Sequence, residues 1–202
     1  MNIDVNAGME ARARSWARAR MSPERFDHTV GVVETVTHLA ARHGLGSIAA
    51  LRLAGWIHDA AKELGDGELI AWAERLGYPI RPIERQAPLL LHGAVAALLA
   101  RQELGLDDPL IFTAATYHTS GHPDMSQADK AFYLADLIEP SRTLGWIEQT
   151  RQLAEEDLDK ALLFALTRQL RRLLKRGAII DPRSVELHNR LLLSGVELVA
   201  HE

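Results

Sequence analysis

Apolar positions recur with helical period along almost the whole chain, and no stretch alternates in the manner of a half-buried strand. In "SPERFDHTVGVVETVTHLAARHG" Val32, Val36 and Leu39 share one stripe. Ser22 offers an N-cap, Pro23 a first-turn residue and Gly44 a stop. The same pattern predicts a helix over residues 47–64, ended by Gly65, and a short one from Asp66 to near Gly77. "YPIRPIERQAP", with its three prolines, reads as an irregular connection. Further helices are expected over 89–104, closed by Gly105, and from Pro109 to Thr119. Another starts at Ser126 and is stopped by Pro140. Beyond it the pattern predicts one near Trp146, a long one over 158–176 and a last one after Asp181-Pro182. The sum is an all-α bundle of about eight or nine helices in one domain.

Composition narrows the chemistry. The 202 residues carry 47% hydrophobic and 25% charged positions, ordinary for a globular domain. A net charge of −4 gives no general attraction to nucleic acid or anionic membrane. No cysteine is present, which excludes disulfides and thiolate catalysis and leaves nitrogen and oxygen as the metal ligands available. No apolar run approaches the roughly 20 residues of a membrane span, and the N-terminus lacks an apolar signal core. A cytoplasmic location is expected. Residues 1–8 are expected to fray, and the arginines of "EARARSWARAR" to form a solvated helix face rather than a membrane-surface one.

Against this background one pair stands out. His58 and Asp59 sit inside the apolar run "LAGWIHDAAKEL". Neighbours on a helix point about 100° apart, so both reach only an atom that flanks the helix, as a metal ion would. His28 lies on the stripe of Val32, Val36 and Leu39, where a buried ring nitrogen needs a partner. Asp136 lies within "FYLADLIE", where a carboxylate is costly unless paired. His92 and His118 occupy similar helix-adjacent places.

The order His28, His58-Asp59, Asp136 resembles the HD-domain superfamily of metal-dependent phosphohydrolases. The stretches "RFDHTVGVVETV", "WIHDAAKEL", "LLLHGAVAA", "YHTSGHPDMSQADKAFYLADLIEPSR", "EEDLDKAL" and "DPRSVELHNRLL" are similar to successive motifs of the YqeK family, across residues 20–195. The resemblance implies one HD domain over residues 9–202 and symmetrical cleavage of diadenosine tetraphosphate to two ADP. It also implies a divalent metal, iron before manganese or another ion, as one or two ions. His28, His58, Asp59 and Asp136 would hold the metal, while Asp59, Lys62, His92 and His118 would serve catalysis. Arg25, Ala60, Ala61, Lys62, Thr119 and Arg142 would line the phosphate pocket with these groups. Arg183, Ser184, Val185, Glu186, His188 and Asn189 would close over the nucleotide. His122, Asp181 and His188 depart from residues common in that family at these places. The expected partner is a small nucleotide, with neither nucleic acid nor membrane, and the resemblance implies a homodimer. Two other readings stay open: hydrolysis of another nucleotide, such as a deoxynucleoside triphosphate or guanosine alarmone, and a metal-bearing sensor without turnover.

Overall fold

A computed structural model describes the backbone of residues 2–143 and 145–199, and the side chains from residue 8 onward. Eleven α-helices and one 3-10 turn make up the described residues, with no strand among them. They are α1 (Asn2–Arg18), α2 (Pro23–Arg42), α3 (Ile48–Ile57), α4 (Asp66–Arg75), α5 (Pro82–Gln86) and α6 (His92–Leu104). Then come α7 (Pro109–Tyr117), α8 (Gln127–Ile138), α9 (Ile147–Glu156), α10 (Leu158–Lys175) and α11 (Pro182–Leu193). The all-α bundle is borne out. The expected fraying over residues 1–8 falls, apart from Gly8, on residues whose side chains lie outside the description.

Local signals set most boundaries. The Ser22 hydroxyl accepts from the Arg25 amide, and Asp108 and Asp181 accept from the Leu110 and Arg183 amides two residues on. Ser126 and Asp129 exchange bonds at the start of α8, so the buried Asp129 is satisfied. Gly105 closes α6 at φ +75°. Two segments differ from expectation. The proline-rich connection holds a five-residue helix, α5, and then the 3-10 turn Pro88–Leu91, because Pro82 and Pro88 each take a first-turn position where no amide donor is needed. The helix expected to run to residue 64 stops at Ile57. From there tight turns continue, with bonds from Ala60 N to Ile57 O, from Lys62 N to Asp59 O and from Leu64 N to Ala61 O.

The core is one continuous cluster. α2 packs on α3 and α8, α6 on α7, and α10 covers α8 and α9, with Phe132, Leu134, Leu162 and Leu163 fully buried. The amphipathic α1 buries Ala13, Trp16 and Ala17 against this core and leaves Arg12, Arg14 and Arg18 exposed, as the solvated-face reading expects. Two close approaches bring the inner helices together. A Cβ on Gly55 would lie 2.6 Å from Val33 Cγ2, and one on Gly93 would lie 2.0 Å from the Ala115 carbonyl oxygen. Only glycine lets α3 meet α2, and α6 meet α7, at this spacing.

Candidate metal centre

Three histidines are built the same way. His58 Nδ1 donates to the Gly55 carbonyl at 2.7 Å, His118 Nδ1 to the Ala115 carbonyl at 2.7 Å, and His92 Nδ1 to the Leu89 carbonyl at 2.5 Å. Each acceptor lies three residues upstream. A carbonyl oxygen can only accept, so each Nδ1 carries a proton, and a ring in its neutral form keeps its lone pair on Nε2. These Nε2 atoms converge on Asp59, whose Oδ1 lies 3.2 Å from His92, 3.5 Å from His118 and 3.6 Å from His58. The end of α3 at Ile57 thus matters to the site, because the turns after it carry the His58–Asp59 pair.

His28 and Asp136 complete the cluster from α2 and α8. His28 Nε2 lies 2.9 Å from Asp136 Oδ1, and that oxygen is 3.7 Å from His58 Nε2. Two sets of side chains bring one ligand atom each to within 4.8 Å of one another: His28, His58 and Asp136, and His58, Asp59 and His118. His58 belongs to both.

The donors fit a divalent cation. His58 Nε2 is buried with no hydrogen-bond partner, a state that costs about 1–3 kcal/mol when nothing fills it. His92 Nε2 and His118 Nε2 face each other at 3.0 Å, an arrangement that two lone pairs tolerate only around a proton or a cation. Imidazole nitrogen and carboxylate oxygen suit iron, manganese or zinc. Locked Nδ1 atoms are the usual support of metal-binding histidines.

Electrostatics agree with this. Burial opposes ionisation of both Asp59 and Asp136, but their surroundings outweigh it. His58, His118, His92 and Lys62 hold Asp59, and His28, His58 and His118 hold Asp136, well below the usual carboxylate range. Burial and the neighbouring His118 push the His92 ring down, which favours its neutral form. Burial also opposes a charged His28, yet Asp136 and Glu139 raise it.

Cationic side chains rim the centre. Arg25 donates to Asp59 Oδ2 at 2.7 Å, and Lys62 Nζ donates to both Asp59 oxygens at 3.0 and 3.1 Å. Arg142 lies 3.7 Å from Asp136 Oδ1 with its side chain 41% exposed, open to an incoming anion. Thr119 Oγ1 sits 3.1 Å from His118 Nε2.

The structure therefore gathers His28, His58, Asp59, His92, His118 and Asp136, with Arg25, Lys62, Thr119 and Arg142 beside them. Ala60 and Ala61 are buried in the core next to Asp59. The C-terminal residues divide. Ser184 Oγ donates to the Ser120 carbonyl at 2.6 Å, docking α11 on the loop after His118. Arg183 is engaged by Asp181 and Glu84 and lies over the Tyr117 ring. His188 bonds Thr167, Val185 is exposed, and Glu186 and Asn189 line a surface hollow with Pro123 and Leu193. None of these last four has a hydrogen bond or ion pair with the histidine cluster among the described residues.

Sequence reasoning missed Glu139. Its carboxylate, 1% exposed, accepts from His28 Nδ1 at 3.0 Å and from the Ser141 amide and hydroxyl. Its only sequence signal is an acidic residue before Pro140 inside an apolar helix end.

A buried histidine–aspartate centre on an all-α bundle defines a class, and the chain belongs to it: residues 25–141, more than half of its length, match the HD domain family. Within that family it is 34% identical to the symmetrical bis(5'-nucleosyl)-tetraphosphatase of Bacillus subtilis, over 89% of this chain and 96% of the relative. The protein of the same name from Halalkalibacterium halodurans is 33% identical over 90% of this chain and 96% of its own. A crystal structure from Clostridium acetobutylicum, described as a predicted HD superfamily hydrolase involved in NAD metabolism, superposes with a TM-score of 0.87. It is 30% identical and covers 91% of this chain and 97% of its own. The resemblance read from the motifs is borne out.

Proposed function

We propose that the protein hydrolyses diadenosine tetraphosphate, and similar dinucleoside polyphosphates, symmetrically to two ADP. The observation that carries this is the pair of ligand sets sharing His58 beneath a rim of Arg25, Lys62 and Arg142. The near full-length relatives that bear the tetraphosphatase name support it.

His28, His58, Asp59 and Asp136 would hold a divalent ion, which would supply Lewis-acid activation of a phosphoryl oxygen and of the attacking water. Iron is the ion that the resemblance favours, and manganese suits the same donors. Asp59, His92 and His118 have the donors for a second ion. Arg25, Lys62 and Arg142 bind the bridging phosphates and screen the charge that develops on them. Asp59 is held ionised by its cationic surroundings, so it orients the attacking water by accepting its hydrogen bond better than it stores its proton. Ser184, bonded to the Ser120 carbonyl, seats the first turn of α11 on the loop after His118, where one nucleotide half would be gripped. Water oxygen joins the second phosphorus of that half, the central bridge bond breaks, and the departing ADP takes up the proton.

No helix of the described residues is long and apolar enough to cross a membrane. The reading extends to a cytoplasmic homodimer acting on a small nucleotide, with neither nucleic acid nor membrane as partner.

Digestion of the dinucleotide in heavy-oxygen water, followed by separation of the products, tests the reading. ADP alone, half of it carrying the label, is expected. Equimolar ATP and AMP would show asymmetric attack and overturn it. Binding without product would mark a sensor instead.

A further inference from the structure

Among the ring histidines of the centre, His28 is supported differently from the rest. His58, His92 and His118 each lean on a backbone carbonyl three residues upstream, a neutral acceptor on the same segment. His28 leans on the Glu139 carboxylate, 111 residues away at the end of α8. That carboxylate is itself fixed. The Ser141 amide donates to Oε2 at 2.8 Å, the Ser141 hydroxyl donates to Oε1, and Arg142 Nε lies 3.4 Å from Oε1. Gly31, one turn beyond His28 on α2, leaves the space: a Cβ there would stand 2.8 Å from Glu139 Oε2. A buried charge with this many donors is a built feature rather than a stray surface acid.

We propose that Glu139 is a positioning residue that sets the ion affinity of the His28–His58–Asp136 ligand set. A carboxylate acceptor on Nδ1 draws that proton toward itself and enriches the ring in electron density. It thereby makes Nε2 a stronger donor than a carbonyl-backed histidine and fixes the ring plane toward Asp136. The role rests on the metal-centre reading above. It explains why the chain spends a buried acid at a place where the other histidines need only a carbonyl. It also links the metal to the anion rim, because the carboxylate that backs His28 also faces Arg142.

The test uses the full chain stripped of metal and titrated with manganese(II) in competition with a chelator, alongside thermal melting of the metal-free protein. Glu139→Gln keeps the shape and an acceptor oxygen but removes the charge. Its manganese dissociation constant is expected to rise about 10- to 100-fold, the usual effect of losing such a support. Ser141→Ala, which frees the carboxylate without deleting it, is expected to give a smaller rise. Asp181→Asn, at a carboxylate bonded to Arg81 and Arg183 and not to the histidine cluster among the described residues, serves as the control for a purely structural effect and is expected to leave the constant within about twofold. An unchanged constant in Glu139→Gln beside a wild type that holds the ion would overturn the role of Glu139 alone. So would a rise no larger than that of the Asp181→Asn control. A wild type that binds no manganese would overturn the centre itself and this role with it.

Discussion

Replacement of Gly93 by alanine probes whether the backbone contact between α6 and α7 builds the site. The new Cβ would stand 2.0 Å from the Ala115 carbonyl oxygen and 3.3 Å from His118 Cε1, while real Cβ atoms keep at least 3.0 Å. Neither obstacle is the free end of a flexible side chain, so α6 and α7 have to separate by about 1 Å at this point. Both helices carry residues of the centre there: His92 opens α6, and His118 follows α7 with its Nδ1 bonded to the same Ala115 oxygen. Overpacking of this kind costs about 1–3 kcal/mol. A backbone obstacle favours the upper half of that range, and the better helix propensity of alanine returns about 1 kcal/mol. The expected net loss is about 1–2 kcal/mol, a fall in Tm of about 2–8 °C for a chain of this size. A displacement of about 1 Å of a catalytic group costs on the order of 100-fold in turnover, so activity is expected to fall further than stability. Melting of the metal-free protein and steady-state turnover at a temperature well below Tm measure the two effects separately. A Gly93→Ala protein with unchanged or raised Tm and full turnover would refute the reasoning.

Four further substitutions test other contacts. His58→Ala and Asp136→Ala are each expected to lose bound metal while keeping their helical circular dichroism, and full metal occupancy in either would remove that residue from the ligand set. Lys62→Ala is expected to keep the metal and weaken substrate binding about 10- to 100-fold, the loss of one charge-assisted hydrogen bond to phosphate. Lost metal with normal substrate affinity would contradict that role. Burial resists ionisation of Asp181, but Arg81 and Arg183 outweigh it and hold its pKa at about 2. Its contribution to stability is therefore present above the unfolded value near 3.8 and disappears as pH falls from about 4 to about 2. After allowance for solvent screening this is worth about 1–2 kcal/mol. Asp181→Asn should flatten that part of the acid unfolding curve, and an unaltered curve would count against the Arg81–Asp181–Arg183 network.

The parts of this protein that periodicity reveals are those with local causes. Ser22, Asp108, Ser126 and Asp181 cap their helices through contacts within three residues, and the sequence shows each of them. His28 and Asp136 are legible because a polar group on an apolar stripe needs a partner. The break after Ile57 is not legible. Ala60, Ala61 and Leu64 continue an apolar pattern that helix and tight turn satisfy equally, and the choice is made by packing of the buried pair. Glu139 was hidden for a related reason. Its partner His28 is 111 residues away, and only the crossing of α2 with α8 brings them together. Motif resemblance supplied the ligand order that distance conceals, but it carried no information on what stands behind each ligand.

What stands behind them explains why the site belongs to the fold rather than resting on it. The carbonyls that lock His58, His92 and His118 sit in the same short stretches as the close approaches of Gly55 and Gly93. Gly55 itself supplies the His58 acceptor, and Ala115 supplies both the His118 acceptor and the surface against which Gly93 rests. A helix spacing that lets these backbones touch therefore also aims the Nε2 lone pairs inward. The result is a centre whose donors lack partners of opposite kind: the Nε2 atoms of His92 and His118 face each other, and His58 Nε2 is unpartnered. Each is unfavourable alone, and a divalent ion would relieve both. Because the unfolded chain offers no such arrangement, binding of the ion contributes to folding stability as well as to chemistry. Gly55 and Gly93 thus serve packing and the geometry of the centre together.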